Sequence, residues 1–144
     1  MQIDKERWTS AVFRICSETK SIEDICATIH EQPTKVFKKG THCIEGNPKS
    51  HIREVNLWLL KSKLSDQEPL EAHIEHFLSF LKENAEGIGE LQTECEFDIF
   101  CGFSSQNGQG GFTLDHKILK ELTAYPVDLC LDLYPPSLEE SNEM

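Results

Sequence analysis

Nothing in this chain of 144 residues approaches the run of about 20 apolar residues that crosses a bilayer. No apolar signal core follows the charged first residues, Met1 to Arg7. These absences predict a soluble, cytoplasmic protein with no membrane partner. There is no Cys-x-x-Cys pair, which removes the zinc ribbon and the thioredoxin-like motif. Neither His-Glu-x-x-His nor Gly-x-Ser-x-Gly occurs, and the glycine-rich stretch at 107–111 lacks the Gly-Lys-Ser/Thr ending of a phosphate loop. The sequence therefore predicts no metal and no cofactor. With 8 glycines and 6 prolines, the chain is neither collagenous nor low in complexity.

Cations are scarce too. Lys and Arg number 14 against 25 Asp and Glu, a net charge of −11. The deficit is uneven, because residues 1–65 carry a net +3, residues 66–98 a net −9 and residues 99–144 a net −5. Phosphates would meet like charge over most of such a surface, so no nucleic-acid partner is expected. An acidic strip is ordinarily a solvated face. Its sharper reading is a surface complementary to a basic protein.

What is present suffices for one core. The apolar set makes up 38% of the chain and charged residues 27%, and a chain of this length buries roughly two-thirds of its unfolded surface. A single α+β domain over residues 1–136 is expected, with 137–144 as a flexible acidic tail. Six cysteines (Cys16, Cys26, Cys43, Cys95, Cys101 and Cys130) fall mostly in apolar periodic segments and read as reduced thiols.

Period-2 alternation predicts strands at 8–16 (Ala11, Phe13 and Ile15 inward) and at 51–61 (Val55, Leu57 and Leu59 inward, Asn56 and Trp58 outward). It predicts two more at 95–103 (Cys95 to Phe103 on the odd positions) and at 127–133 on Val127, Leu129, Leu131 and Leu133. Helical spacing predicts one helix opened by Ser21 on Ile22, Ile25, Cys26 and Ile29. A second covers 69–83 on Leu70, Ile74, Phe77, Leu78 and Leu81, and a third covers 114–124 on Leu114, Ile118, Leu119 and Leu122. Gly87 and Gly89 break the chain before a short helical piece, and a short extended piece fits Lys35–Lys38. The order β-α-β, helix, β-α-β predicts a ferredoxin-like split βαβ sandwich, with a helical insertion and a mainly antiparallel four-stranded sheet.

Several short motifs, in order, resemble one family. They are Cys16-Ser17, Pro33-Thr34 with Lys39-Gly40, Trp58, Gly110-Gly111-Phe112 before the third helix, and Leu131-Asp132-Leu133-Tyr134. Together they are similar to an uncharacterised bacterial family, domain of unknown function 4279. The resemblance spans nearly the whole chain. It implies the domain boundary and a bacterial origin, and it brings no activity and no catalytic residue.

Two functional classes remain. The first is a non-catalytic protein-interaction module, such as an immunity or antitoxin-like inhibitor of a basic partner. Its candidate residues are Glu71 and Glu75 on the long helix, and Trp58, Asp98, Phe100 and Asp132 on the sheet face turned away from the core. Arg14 and Asp98 fall on central strands of that face and can pair. The second class is a small-anion or small-ligand site, with an enzyme as one form of it. It would use Lys35, Lys38, Lys39 and Arg53 around loop 33–51, and Gly110 in the turn 108–111. His73 and His76 stand three apart on a helix but lack the third ligand that a metal needs.

Overall fold

A computed structural model describes residues 7–105 and 111–134. The chain runs β1 (Arg7–Ser17), α1 (Ile22–Thr28), β2 (Lys35–Phe37), β3 (Asn56–Lys61), α2 (Leu70–Glu83), α3 (Ala85–Leu91), β4 (Glu96–Ser105), α4 (His116–Leu122) and β5 (Val127–Tyr134). The strands form one five-stranded sheet in the order β2-β3-β1-β4-β5. Residues 108–110 of the glycine turn 108–111, the Pro135-Pro136 stop and the acidic tail 137–144 lie outside the described residues.

Local chemistry explains each helix. The Ser21 hydroxyl accepts from the Asp24 backbone N–H and starts α1, and the Asp115 carboxylate accepts from Lys117 and Ile118 to start α4. On α2 the whole predicted stripe is buried, with His73 and Phe80 added to it. Gly87 does not interrupt; it lies within α3. A Cβ there would stand 2.9 Å from the Thr28 carbonyl, so this glycine lets α3 close onto the end of α1. Asn84 ties the same corner, accepting from the His30 N–H at 2.8 Å and donating to the Phe80 carbonyl at 3.0 Å.

The four-stranded, ferredoxin-like sheet gives way to a mixed one. β1 pairs antiparallel with β3 and β4, and β2 pairs antiparallel with β3. β4 and β5, however, run parallel as direct neighbours. Because β3 and β4 flank β1 and share a direction, the α2–α3 insertion carries the chain across β1 instead of closing a hairpin. The burial of Ile74, Phe77 and Leu81 in the core with Phe13 holds it there. In the first half, the short β2 completes a split β-α-β with β3 between; in the second, α4 joins adjacent parallel strands.

One core joins the helices to one face of the sheet. Phe13 stands at its centre, with ring contacts to Trp58, Phe77, Phe80 and Phe97. The face expected for β3 is therefore reversed. Trp58 lies opposite Ile15, Leu60 opposite Phe13, and Trp58 is 0% exposed. Leu57 and Leu59 look the other way. Trp58 is thus a core residue, stacked on Phe80. The reason is that β3 is apolar on both faces, and the larger indole buries more area against α2.

Four expected core positions also fail. Cys26 and Leu119 are exposed on their helices, and Leu131 and Leu133 are 47% and 66% exposed on β5. α4 spans only seven residues, and its buried side chains, Ile118 and Leu122, leave the far end of β5 uncovered.

Candidate functional site

All four described helices contribute to the single core on one side of the sheet, which leaves the opposite face open. Alternation along the strands places Val12, Arg14 and Cys16 of β1 on this face. Leu57 and Leu59 of β3, Asp98 and Phe100 of β4, and Asp128, Cys130 and Asp132 of β5 join them. Most are half-buried against their neighbours, and no described helix covers them.

The predicted Arg14–Asp98 pair is formed at the middle of this face. Arg14 Nε donates to Asp98 Oδ1 at 2.7 Å and Nη2 to Oδ2 at 2.5 Å, a bidentate fork. This contact, with the Asp98 charge, raises the Arg14 pKa above its ordinary value despite partial burial. The guanidinium also lies 4.6 Å from the centre of the Phe100 ring. A cavity of about 260 Å³ opens beside the pair, with Cys16, Leu57, Glu96 and Asp128 in its walls.

Two thiols stand on this face, and neither is activated. Burial raises the Cys16 pKa, and the Glu96 carboxylate raises it further. At Cys130, desolvation and the hydrogen bond to Asp98 raise it. Nucleophilic cysteines need the opposite shift.

At one end Trp8 lies over Gly102, where an added Cβ would stand 2.9 Å from the indole Cζ3. The Tyr134 ring backs the indole at 5.1 Å between centroids.

The sequence candidates divide among three places. Asp98, Phe100 and Asp132 share the open face, with Trp58 on the reverse of the sheet. Glu71 and Glu75 belong to the helix layer and cannot act with them as one surface. Glu71 accepts from the Thr113 N–H at 2.7 Å, and Glu75 lines a separate 480 Å³ cavity with Lys82, Glu121 and Tyr125.

The basic residues of loop 33–51 turn to their own chain. Lys38 meets Glu23 at 2.6 Å, and Lys39 donates to the Glu18 carbonyl at 3.0 Å. Arg53 and Lys35 both lie over the Phe37 ring, and the register of β2 with β3 sets Lys35 and Phe37 on the open face beside Leu59 and Leu57. Backbone bonds from Cys43 to His51 and from Arg53 to Thr41 close this loop into a hairpin-like turn. Gly110 lies outside the described residues.

The sequence reading missed Leu57, Leu59 and Val12 as open-face residues. The available signal was the doubly apolar β3, in which one face had to remain outside the core. Among the described residues, no group of three or more His, Cys, Asp or Glu side chains is placed to hold a metal ion. His73 is instead buried on α2, with Ser62 Oγ 2.7 Å from its Nδ1. No described helix is long and apolar enough to cross a membrane.

No curated protein and no solved structure matches the chain. A family model does match, over residues 6–136, and its description is Domain of unknown function (DUF4279). The chain belongs to that family.

Proposed function

We infer that this chain is a non-catalytic protein-interaction module that docks a basic protein on the open face of its sheet, in the manner of a small acidic inhibitor. One observation carries this reading: the helices cover only one face. Phe100, Val12, Leu57 and Leu59 are left half-buried; Glu96, Asp128 and Asp132 frame the β4–β5 side, while Asp98 is paired with Arg14, and Lys35 and Arg53 stand on the β2 side. An apolar centre with a charged rim is the ordinary anatomy of a docking surface. The rim charges steer an oppositely charged partner and speed its association. The elevated thiol pKa values on this face favour binding over nucleophilic chemistry. The alternative, an anion site on loop 33–51, has less support, because Lys38 and Lys39 are engaged by Glu23 and Glu18.

The test is affinity capture from the native host with three versions of the protein. A partner of basic charge should be retained by the parent and by the Glu71→Lys/Glu75→Lys chain, and lost from Asp128→Lys/Asp132→Lys. Retention by the last variant, or loss from the helix variant alone, would overturn the reading.

A further inference from the structure

We propose that the outer edge of β5 pairs with the same edge of a second copy, giving a two-fold dimer with one continuous sheet. The inference does not rest on the reading of the open face. β5 is eight residues long and terminal in the sheet, so at about 3.3 Å per residue it offers roughly 26 Å of edge. Among the described residues, the side of β5 away from β4 pairs with no strand. An edge of that length is a template for another strand unless it is blunted by proline, charged side chains or a bulge. Val127–Tyr134 contains neither proline nor lysine, and its two charges, Asp128 and Asp132, share one face, which leaves the leucine face uncharged. Pro126 and Pro135 bracket it instead and confine any pairing to the segment between them.

Exposed apolar side chains gather here. Leu131 is 47% exposed, Leu133 66% and Tyr134 43%, and Leu119 on the helix leading into β5 is 45% exposed. No described element covers the three leucines, which share the helix side of the sheet; Tyr134, on the other face, packs against Trp8.

The leucine face suits a second copy of itself, and charge selects the register. Antiparallel pairing about an axis perpendicular to the sheet puts both helix layers on one side, so opposed residues must share a face. Two such registers use nearly the whole strand. Centring on Cys130 sets Asp128 directly against Asp132 of the second copy, twice, and like charges so placed are destabilising. Centring on Leu131 sets Leu131 against itself and Leu129 against Leu133. On the other face it sets Asp128 against Tyr134 and Cys130 against Asp132. That register gives a leucine seam with no opposed carboxylates, and it is the one assigned.

Sedimentation equilibrium of the full chain from 1 to 100 µM is the test. The parent should sediment at twice the 16.4 kDa chain mass. Leu131→Lys places two like charges on the axis and should weaken the dimer at least about tenfold. Residue 131 is half-exposed, so the monomer keeps its circular dichroism and its urea midpoint. Ile44→Lys, on the remote loop, should leave the dimer intact. Asp132→Asn distinguishes the registers: it changes the dissociation constant less than about twofold in the assigned one, where residue 132 opposes Cys130, and tightens the dimer severalfold in the other, where it removes two directly opposed carboxylate pairs. A monomeric parent, a Leu131→Lys dimer as tight as the parent, or severalfold tightening by Asp132→Asn would overturn the proposal.

Discussion

Replacing Gly102 with alanine should destabilise the domain through one identifiable contact. The new methyl would stand 2.9 Å from Cζ3 and 3.3 Å from the next ring carbon of Trp8, and 2.9 Å from Ser10 Oγ. Carbon atoms prefer about 3.5–4.0 Å, so the indole must retreat by roughly 1 Å. The serine hydroxyl can rotate aside. The indole cannot retreat freely, because Tyr134 backs it. Overpacking of this kind costs about 1–3 kcal/mol in a closed core. Trp8 lies on a half-open face, so the lower half of that range applies. Removing a glycine from the unfolded chain returns about 0.4–1 kcal/mol. The net expectation is a loss of about 1 kcal/mol. In a Trp8→Ala background the clash disappears, and Gly102→Ala should become neutral or stabilising. Urea denaturation of the four proteins, followed by circular dichroism so that loss of the tryptophan signal does not intrude, closes the cycle. A coupling of about 1–2 kcal/mol between the sites supports the geometry. Additivity within about 0.5 kcal/mol would refute the claim that the indole lies on Gly102.

Leu60→Ala should cost about 2–5 kcal/mol, as buried leucines do, whereas Leu131→Ala in dilute monomer should cost under about 1 kcal/mol, because that side chain is already half in water; equal shifts in urea midpoint would contradict the assigned faces. Burial, with the charge of His76 adding to it, lowers the His73 pKa below its ordinary value of 6.5. The unfolded chain therefore binds this proton first, and stability present above 6.5 is lost as pH falls from there toward the lower native value. The fall in urea midpoint between pH 7.5 and 5.5 should shrink in His73→Gln, and an equal fall in both proteins would contradict it. All six cysteines are free, so a thiol assay of the denatured, non-reduced chain should count all of them. In the native protein the exposed Cys26 and Cys43 should react first and Cys101 last, its pKa pushed up to about 12 by burial. Early labelling of Cys101 would show that its strand opens.

Local patterns in the sequence were enough for α2, whose stripe from Leu70 to Leu81 is wholly buried. They were also enough for β4, where strict alternation put Phe97, Ile99 and Cys101 in the core. The Arg14–Asp98 pair followed from the same alternation, because both residues lie opposite core positions on neighbouring strands. The face of β3 did not follow. Leu57 and Leu59 match Trp58 and Leu60 in hydrophobicity, and only the register with Phe13 and Ile15 decides between them. The parallel placement of β5 was hidden for a similar reason, since strand order is a long-range property. Gly87 read as a breaker because its neighbour, the Thr28 carbonyl, comes from 59 residues earlier in the chain. Charge density pointed to the 66–98 segment, yet Glu71 and Asp98 within it face opposite sides of the molecule.

The claim that the open face is the docking surface is tested most directly by hydroxyl-radical footprinting of the protein, free and bound to its captured partner. Side-chain oxidation reads the two faces of each strand separately. Phe100, Leu57 and Val12 should be protected in the complex, with Tyr125 and Leu78 of the helix layer oxidised as fast as in the free chain. Protection at Tyr125 and Leu78, with Phe100 and Leu57 unchanged, would contradict it.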